Sequence, residues 1–141
     1  MFRQAVQKRR CLVPADEFFE WKKIAEDVKQ PYLIGLADSQ PFYFAGIFGP
    51  VNETRPATVA LLTTRPNALM KAIHARMPVI LNAETAKAWL KAGPLTPRRT
   101  WPTHFALSSR AMRAVPVSKL VNNPRNDRPE VVAKDEATGE Q

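Results

Sequence analysis

Cysteine, glycine and histidine are all scarce in this chain, and each shortage closes off a class of chemistry. A single cysteine, Cys11, excludes an intrachain disulfide and a cysteine-rich zinc site. The two histidines, at 74 and 104, are scattered away from it, so a metal centre would need carboxylates from afar and none is expected. Five glycines form no glycine-rich phosphate loop, and Gly-x-Ser-x-Gly and His-Glu-x-x-His patterns are missing. No cofactor is expected. No apolar run approaches the roughly 18 residues of a membrane helix; Pro41–Val51 comes nearest, and Pro and Gly interrupt it. The opening MFRQAVQKRR is basic without an apolar core behind it, unlike a secretory signal. The expectation is a reducing, cytoplasmic setting, nucleoid-associated in a bacterium, with no membrane partner.

What is abundant is proline and positive charge. Thirteen prolines in 141 residues, nearly twice the usual share, argue against long helices, because each removes a donor and blocks the preceding turn. With 45% hydrophobic and 24% charged residues the chain has the makings of one globular domain. Twenty-one basic against 13 acidic residues give a net charge of +8. Such an excess favours polyanions, nucleic acid first. From Thr96 to Arg128 seven basic residues (Arg98, Arg99, Arg110, Arg113, Lys119, Arg125, Arg128) face one acid, Asp127. The alternative is a merely solvated surface.

Local patterns predict a strand-dominated α+β domain with two short helices. Cys11–Pro14 and Phe18–Lys22 read as two strands, or a strand and a bend, around a Pro-Ala-Asp turn. Tyr32–Ala37 and Phe42–Phe48 form a hairpin candidate, and Ala57–Thr64 a continuous strand buried on both sides. Asn67 caps a short helix to Ile73; His74-Ala75-Arg76 turn; Met77–Leu81 resumes as a strand. Asn82–Ala92 is the strongest helix pattern, stopped by Gly93-Pro94, and Ala114–Ser118 reads as one more strand. The domain is expected over 1–132, with a disordered tail at 133–141.

Two residues are candidates for chemistry. Glu20 lies between aromatics in Phe18-Phe19-Glu20-Trp21. If it shares the inward face with Phe18 it is a carboxylate in an apolar wall, suited to acid–base work; if Phe19 and Trp21 point inward, it faces water. His74 follows a helix and is flanked by Arg76, a guanidinium suited to phosphate. It is either a proton-transfer group or a hydrogen-bonded turn histidine.

The blocks Arg10-Cys11-Leu12-Val13-Pro14-Ala15-Asp16, Phe18-Phe19-Glu20-Trp21, Phe44-Ala45-Gly46-Ile47-Phe48, Leu62-Thr63-Thr64-Arg65-Pro66-Asn67, Ile73-His74-Ala75-Arg76-Met77-Pro78 and Val121-Asn122-Asn123-Pro124 occur in this order, with Pro116-Val117-Ser118 before the last. This set resembles the SRAP family, the SOS-response-associated peptidase domain that recognises abasic sites in single-stranded DNA. The resemblance runs from about Arg9 to Val132.

It implies an SRAP-like domain with a mixed-sheet, barrel-like core and single-stranded DNA carrying abasic sites as the partner. Family members attack the abasic aldehyde with an N-terminal cysteine: the α-amine forms a Schiff base, and the thiol closes it to a stable crosslink. By resemblance Glu20 and His74 are catalytic proton carriers facing one cleft, and Trp21, Thr63 and Arg76 line the DNA surface. The start here reads Met-Phe-Arg-Gln, so the segment bearing the catalytic cysteine is expected to precede Met1, leaving an N-terminally truncated domain. Cys11 matches an internal cysteine without a free α-amine. Glu17 stands where the family commonly has glycine, so the backbone beside Glu20 is expected to differ. Open strand edges would then favour self-association. The alternatives are a non-covalent single-stranded DNA module and an inactive remnant serving in protein interaction; whether the chain is an enzyme, with the crosslinking, lyase and autopeptidase-type chemistry of the family, stays open.

Overall fold

The computed structural model describes residues 2–49, 54, 56–91 and 107–135. Within them the elements are α1 (Phe2–Lys8), β1 (Arg10–Ala15), β2 (Glu17–Lys23), β3 (Lys29–Leu36), β4 (Phe42–Phe48), β5 (Val59–Leu61), β6 (Thr63–Thr64), α2 (Ala68–Lys71), β7 (Met77–Pro78), β8 (Ile80–Leu81), α3 (Ala83–Leu90) and β9 (Met112–Pro116). Every strand pairing among them is antiparallel, where a mixed sheet was expected. One sheet runs β1-β4-β5, with β8 also on β4; a second runs β2-β3-β9; β6 and β7 form a third.

The first sheet separates two apolar cores, because β4 and β8 alternate strictly between them. Ala45, Ile47 and Leu81 face α1 and α3, meeting Ala5, Val6, Ala86 and Trp89. Phe42, Phe44 and Ile80 face the second sheet and α2, meeting Ile34, Met112, Met70 and Met77. Side chains of this size contribute about 1.5–3 kcal/mol each when fully buried. The three rings of Phe18, Phe42 and Phe44 meet edge to face, with centroids 5.1–6.4 Å apart.

The expected hairpin between 32–37 and 42–48 does not form. Both strands exist, but β3 pairs with β2 and β9, and β4 with β1, β5 and β8. The turn between them passes through Ser39 at φ 58°, a left-handed residue, and carries the chain from one sheet to the other. The hairpin lies instead between β2 and β3, closed by the Ile24 amide on the Val28 carbonyl at 2.9 Å. The strand expected over 57–64 is also broken. Leu62 leaves the ladder to bond Ala45 and Val79, splitting β5 from β6. β5 is an exposed edge rather than a doubly buried strand, with Val59 55% and Leu61 44% exposed. Val79 likewise divides β7 from β8.

Both expected helices form with their asparagine caps. Asn67 caps α2, and Asn82 makes a reciprocal capping box with Thr85 on α3. The helix stop at Gly93-Pro94, like Arg98 and Arg99, lies outside the described residues. A third helix, α1, was not expected; it is short, and Ala5 and Val6 bury its apolar side. Residues 133–135 pair with 116–118 at the sheet margin, and 136–141, the rest of the expected tail, lie outside the described residues.

Two glycines within the sheets, one on β4 and one on β3, sit close against neighbouring atoms. Gly46 lies opposite Cys11 and Leu61, and a Cβ there would stand 2.9 Å from the Cys11 sulfur. Gly35 lies between Glu17 and Arg113 across three strands, and a Cβ there would stand 3.1 Å from Glu17 Cγ. Glu17 and Arg113 close an ion pair over that gap. The glycine beside Glu17 is thus on the neighbouring strand.

Candidate active site and strand-binding surface

Strand alternation assigns Glu20 its face. Phe18 packs into the core formed by Phe42 and Phe44, while Phe19 and Trp21 lie on the opposite face with ring centroids 6.4 Å apart. Glu20, two residues from Phe18, therefore shares the Phe18 face and stands across from Tyr32, which also packs on that core. It is half-buried, and its Oε1 accepts from the Trp21 amide at 3.1 Å.

His74 arises from the helix just before it. The Asn67 side chain accepts the Met70 amide at 3.0 Å and donates to the Leu107 carbonyl at 3.0 Å, fixing α2 to the segment before β9. The His74 amide then bonds the Met70 carbonyl at 2.8 Å, ending the helix. Nδ1 of His74 lies 3.2 Å from the Arg76 amide and 3.0 Å from the Arg76 carbonyl. The ring accepts from the amide when its proton is on Nε2, and donates to the carbonyl when its proton is on Nδ1. The turn therefore holds the imidazole by its Nδ1 against the Arg76 backbone.

Arg76 is fixed just as firmly. Its Nε donates to the Thr63 hydroxyl at 2.8 Å and its Nη2 to the Thr63 carbonyl at 2.8 Å. Thr63, His74 and Arg76 thus form one exposed unit joined by β6 and β7. Beside it lies a shallow groove of about 560 Å3 lined by Arg65, Pro66, Lys71, Ile73, His74 and Ala75.

Glu20 and Trp21 are not part of that unit. No hydrogen bond or ion pair joins Glu20 to His74 among the described residues, and Glu20 does not line the groove. What the two share is the core beneath them: Phe18 and Tyr32 beside Glu20, and Ile73 beside His74, all pack on it. Trp21 lines a second groove of about 500 Å3 with Glu26, Asp27, Lys29 and Asn122. Its indole N–H donates to Asn122 Oδ1 at 2.7 Å. Asn122, Arg65 and Lys71 were not singled out in sequence; Asn122 and Arg65 do occur in the motif blocks, but nothing local tied them to Trp21 or His74.

Cys11 is half-buried beneath Gly46, and burial pushes its thiol above its ordinary pKa. Among the described residues no three His, Cys, Asp or Glu side chains gather as metal ligands, and no helix is long and apolar enough to cross a membrane.

Comparison with known proteins places this geometry in context. A family model described as SOS response associated peptidase (SRAP) matches residues 1–124. The chain is 40% identical over 139 residues to the abasic site processing protein YoqW of Bacillus subtilis, covering 93% of this chain and 60% of the relative. It is 30% identical over 146 residues to the abasic site processing protein YedK of Escherichia coli, covering 94% and 60%. A crystal structure of a Bacteroides thetaiotaomicron protein superposes with a TM-score of 0.80 at 29% identity, covering 95% of this chain and 60% of that one. The chain thus spans about 60% of the length of these relatives.

Proposed function

The chain belongs to the SOS response associated peptidase (SRAP) family, and from that premise we propose that it acts on abasic sites in single-stranded DNA. Glu20 and His74 carry protons at the opened sugar, and Trp21, Thr63 and Arg76 line the path of the strand. The observation that carries this reading is the turn at 74–76: an exposed imidazole anchored through Nδ1 to the Arg76 backbone, next to a guanidinium held by Thr63.

The chemistry follows from those two groups. An amine adding to the abasic aldehyde gives a carbinolamine, and its hydroxyl leaves as water only when an acid protonates it. A charged His74 supplies that proton and becomes neutral; the imine forms as the C–O bond breaks. Arg76, with two of its N–H groups on Thr63, still has donors for a phosphate oxygen. Glu20, beside Tyr32 over the shared core, takes up or returns protons at the sugar hydroxyls. Trp21 offers a ring on which an unpaired base can stack. The relatives' name, abasic site processing protein, supports the same substrate class.

The test is incubation with single-stranded DNA carrying one abasic site, with and without borohydride, followed by a denaturing gel. An adduct without borohydride means a stable crosslink made by this chain's own groups; an adduct only with borohydride means a transient imine from one of its amines. Either is expected to weaken in Glu20→Gln and His74→Ala. Absence of an adduct in both lanes, together with equal affinity for intact and abasic strands, would overturn the reading.

A further inference from the structure

The groove beside His74 has a composition that the proton-carrying role leaves unused. Its floor is apolar, made by Pro66, Ile73 and Ala75, and cations stand within its lining, Arg65 from the segment after β6 and Lys71 from the end of α2. Among the described residues no carboxylate lines it. Arg65 and Lys71 are both exposed, and neither has an acidic partner among the described residues. The wall ends at His74, whose neighbour Arg76 is bound to Thr63, so the groove continues from the candidate site rather than standing apart from it.

We infer that this groove is a nucleotide subsite: it seats one nucleotide of the strand that runs on past the abasic position, an inference that rests on the function proposed above. The sugar and the base face lie against Pro66, Ile73 and Ala75, and the flanking phosphates are neutralised by Arg65 and Lys71. An apolar lining with unpaired cations fits the sugar face and phosphodiester of a strand and repels a basic peptide. The contacts are to backbone and ring faces, so the subsite reads no base identity. It sets where the strand lies relative to His74, and it makes binding depend on phosphates beyond the lesion.

The test is the salt dependence of binding, by fluorescence anisotropy, of an abasic single strand to the whole chain and to Arg65→Gln/Lys71→Gln. Each neutralised phosphate on a single strand adds about 0.7 to the slope of log affinity against log salt, so the double variant should lose about 1.4. Its affinity should fall about 70-fold at 50 mM salt and about tenfold at 200 mM. Lys87→Gln/Lys91→Gln, on α3 and its cap beyond the other core, should leave the slope unchanged, and Arg65→Lys/Lys71→Arg should retain it. Wild-type binding with an unchanged slope in the Arg65/Lys71 variant would overturn the subsite and leave the proposed function standing. An equal loss in the α3 pair would overturn it too, showing only a general charge effect. No binding of the wild type to the abasic strand would remove both readings. A mononucleotide that binds the wild type and not the variant, while strand binding is unaffected, would assign the groove to a small phosphate ligand and overturn the strand assignment.

Discussion

Arg76 closes a fork on Thr63, one nitrogen on the hydroxyl and another on the carbonyl, both at 2.8 Å. A lysine has a single point of donation and cannot reproduce that geometry. Arg76→Lys should therefore shift the urea midpoint little, because the pair is exposed, yet weaken abasic-strand binding by about tenfold, the equivalent of one charge-assisted contact of about 1.4 kcal/mol. Anisotropy titrations beside denaturation curves check this. Equal affinity of the two proteins would remove Arg76 from the strand-facing set.

Gly35 carries the close passage between Glu17 and Arg113. A Cβ at this position would meet Glu17 Cγ at 3.1 Å and the Asp16 carbonyl at 3.2 Å. Gly35→Ala should destabilise the protein by about 1–3 kcal/mol, the range of an overpacked site. Glu17→Ala alone should cost under about 1 kcal/mol, since the ion pair is about one-third exposed. In the double variant part of the Gly35→Ala cost should vanish, because one of its two obstacles is a side chain. Strict additivity in urea denaturation would refute the steric account.

Asn67 couples helix α2 to the segment before β9 and so sets the turn that bears His74. Asn67→Ala should cost about 1–2 kcal/mol through the lost cap and the unmatched Leu107 carbonyl. Asn67→Asp retains the cap oxygen and loses only the donor, so its melting temperature should fall between the two. A melting temperature equal to that of the alanine variant would show that the cap bond contributes nothing.

The Cys11 thiol, raised by burial, binds its proton more tightly folded than unfolded. That preference contributes stability that is fully present below the ordinary thiol range and is lost as pH rises through the raised value. The wild type should therefore lose more stability than Cys11→Ala between pH 7 and pH 9.5, and its reaction with a maleimide at pH 8 should be slower than that of an unfolded control. Parallel urea curves for the two proteins across that interval would contradict the shift.

Legibility followed distance along the chain. The asparagine caps at 67 and 82 were readable because each cap bond joins residues only three apart. The pairing of β3 and β4 was not, since both runs have hairpin-like flanks and only their long-range partners β2, β9 and β1 decide the outcome. Val59 and Leu61 were read as buried from hydrophobicity alone, whereas they lie on an edge that no neighbouring strand covers among the described residues. Glu20 was ambiguous by the same logic: alternation gives two faces, and the contacts of Phe18 with Phe42 and Phe44 select one. His74 and Arg76 drew attention as neighbours, but the grip on Thr63, 13 residues away, and that of Asn122 on Trp21, 101 residues away, exist only in the fold.

The contact between Gly46 and Cys11 also constrains how the sequence can change over time. An alanine acquired first at position 46 would place its methyl 2.9 Å from the Cys11 sulfur, inside any normal contact distance. The same alanine acquired after Cys11→Ala loses that obstacle, and the next nearest atoms, of Val59 and Val13, lie at ordinary contact distances of 3.4 and 3.5 Å. Two substitutions that are compatible together are thus easier in one order than in the other. The pair thus biases descent, so that a lineage reaches a side chain at position 46 more readily after giving up the thiol.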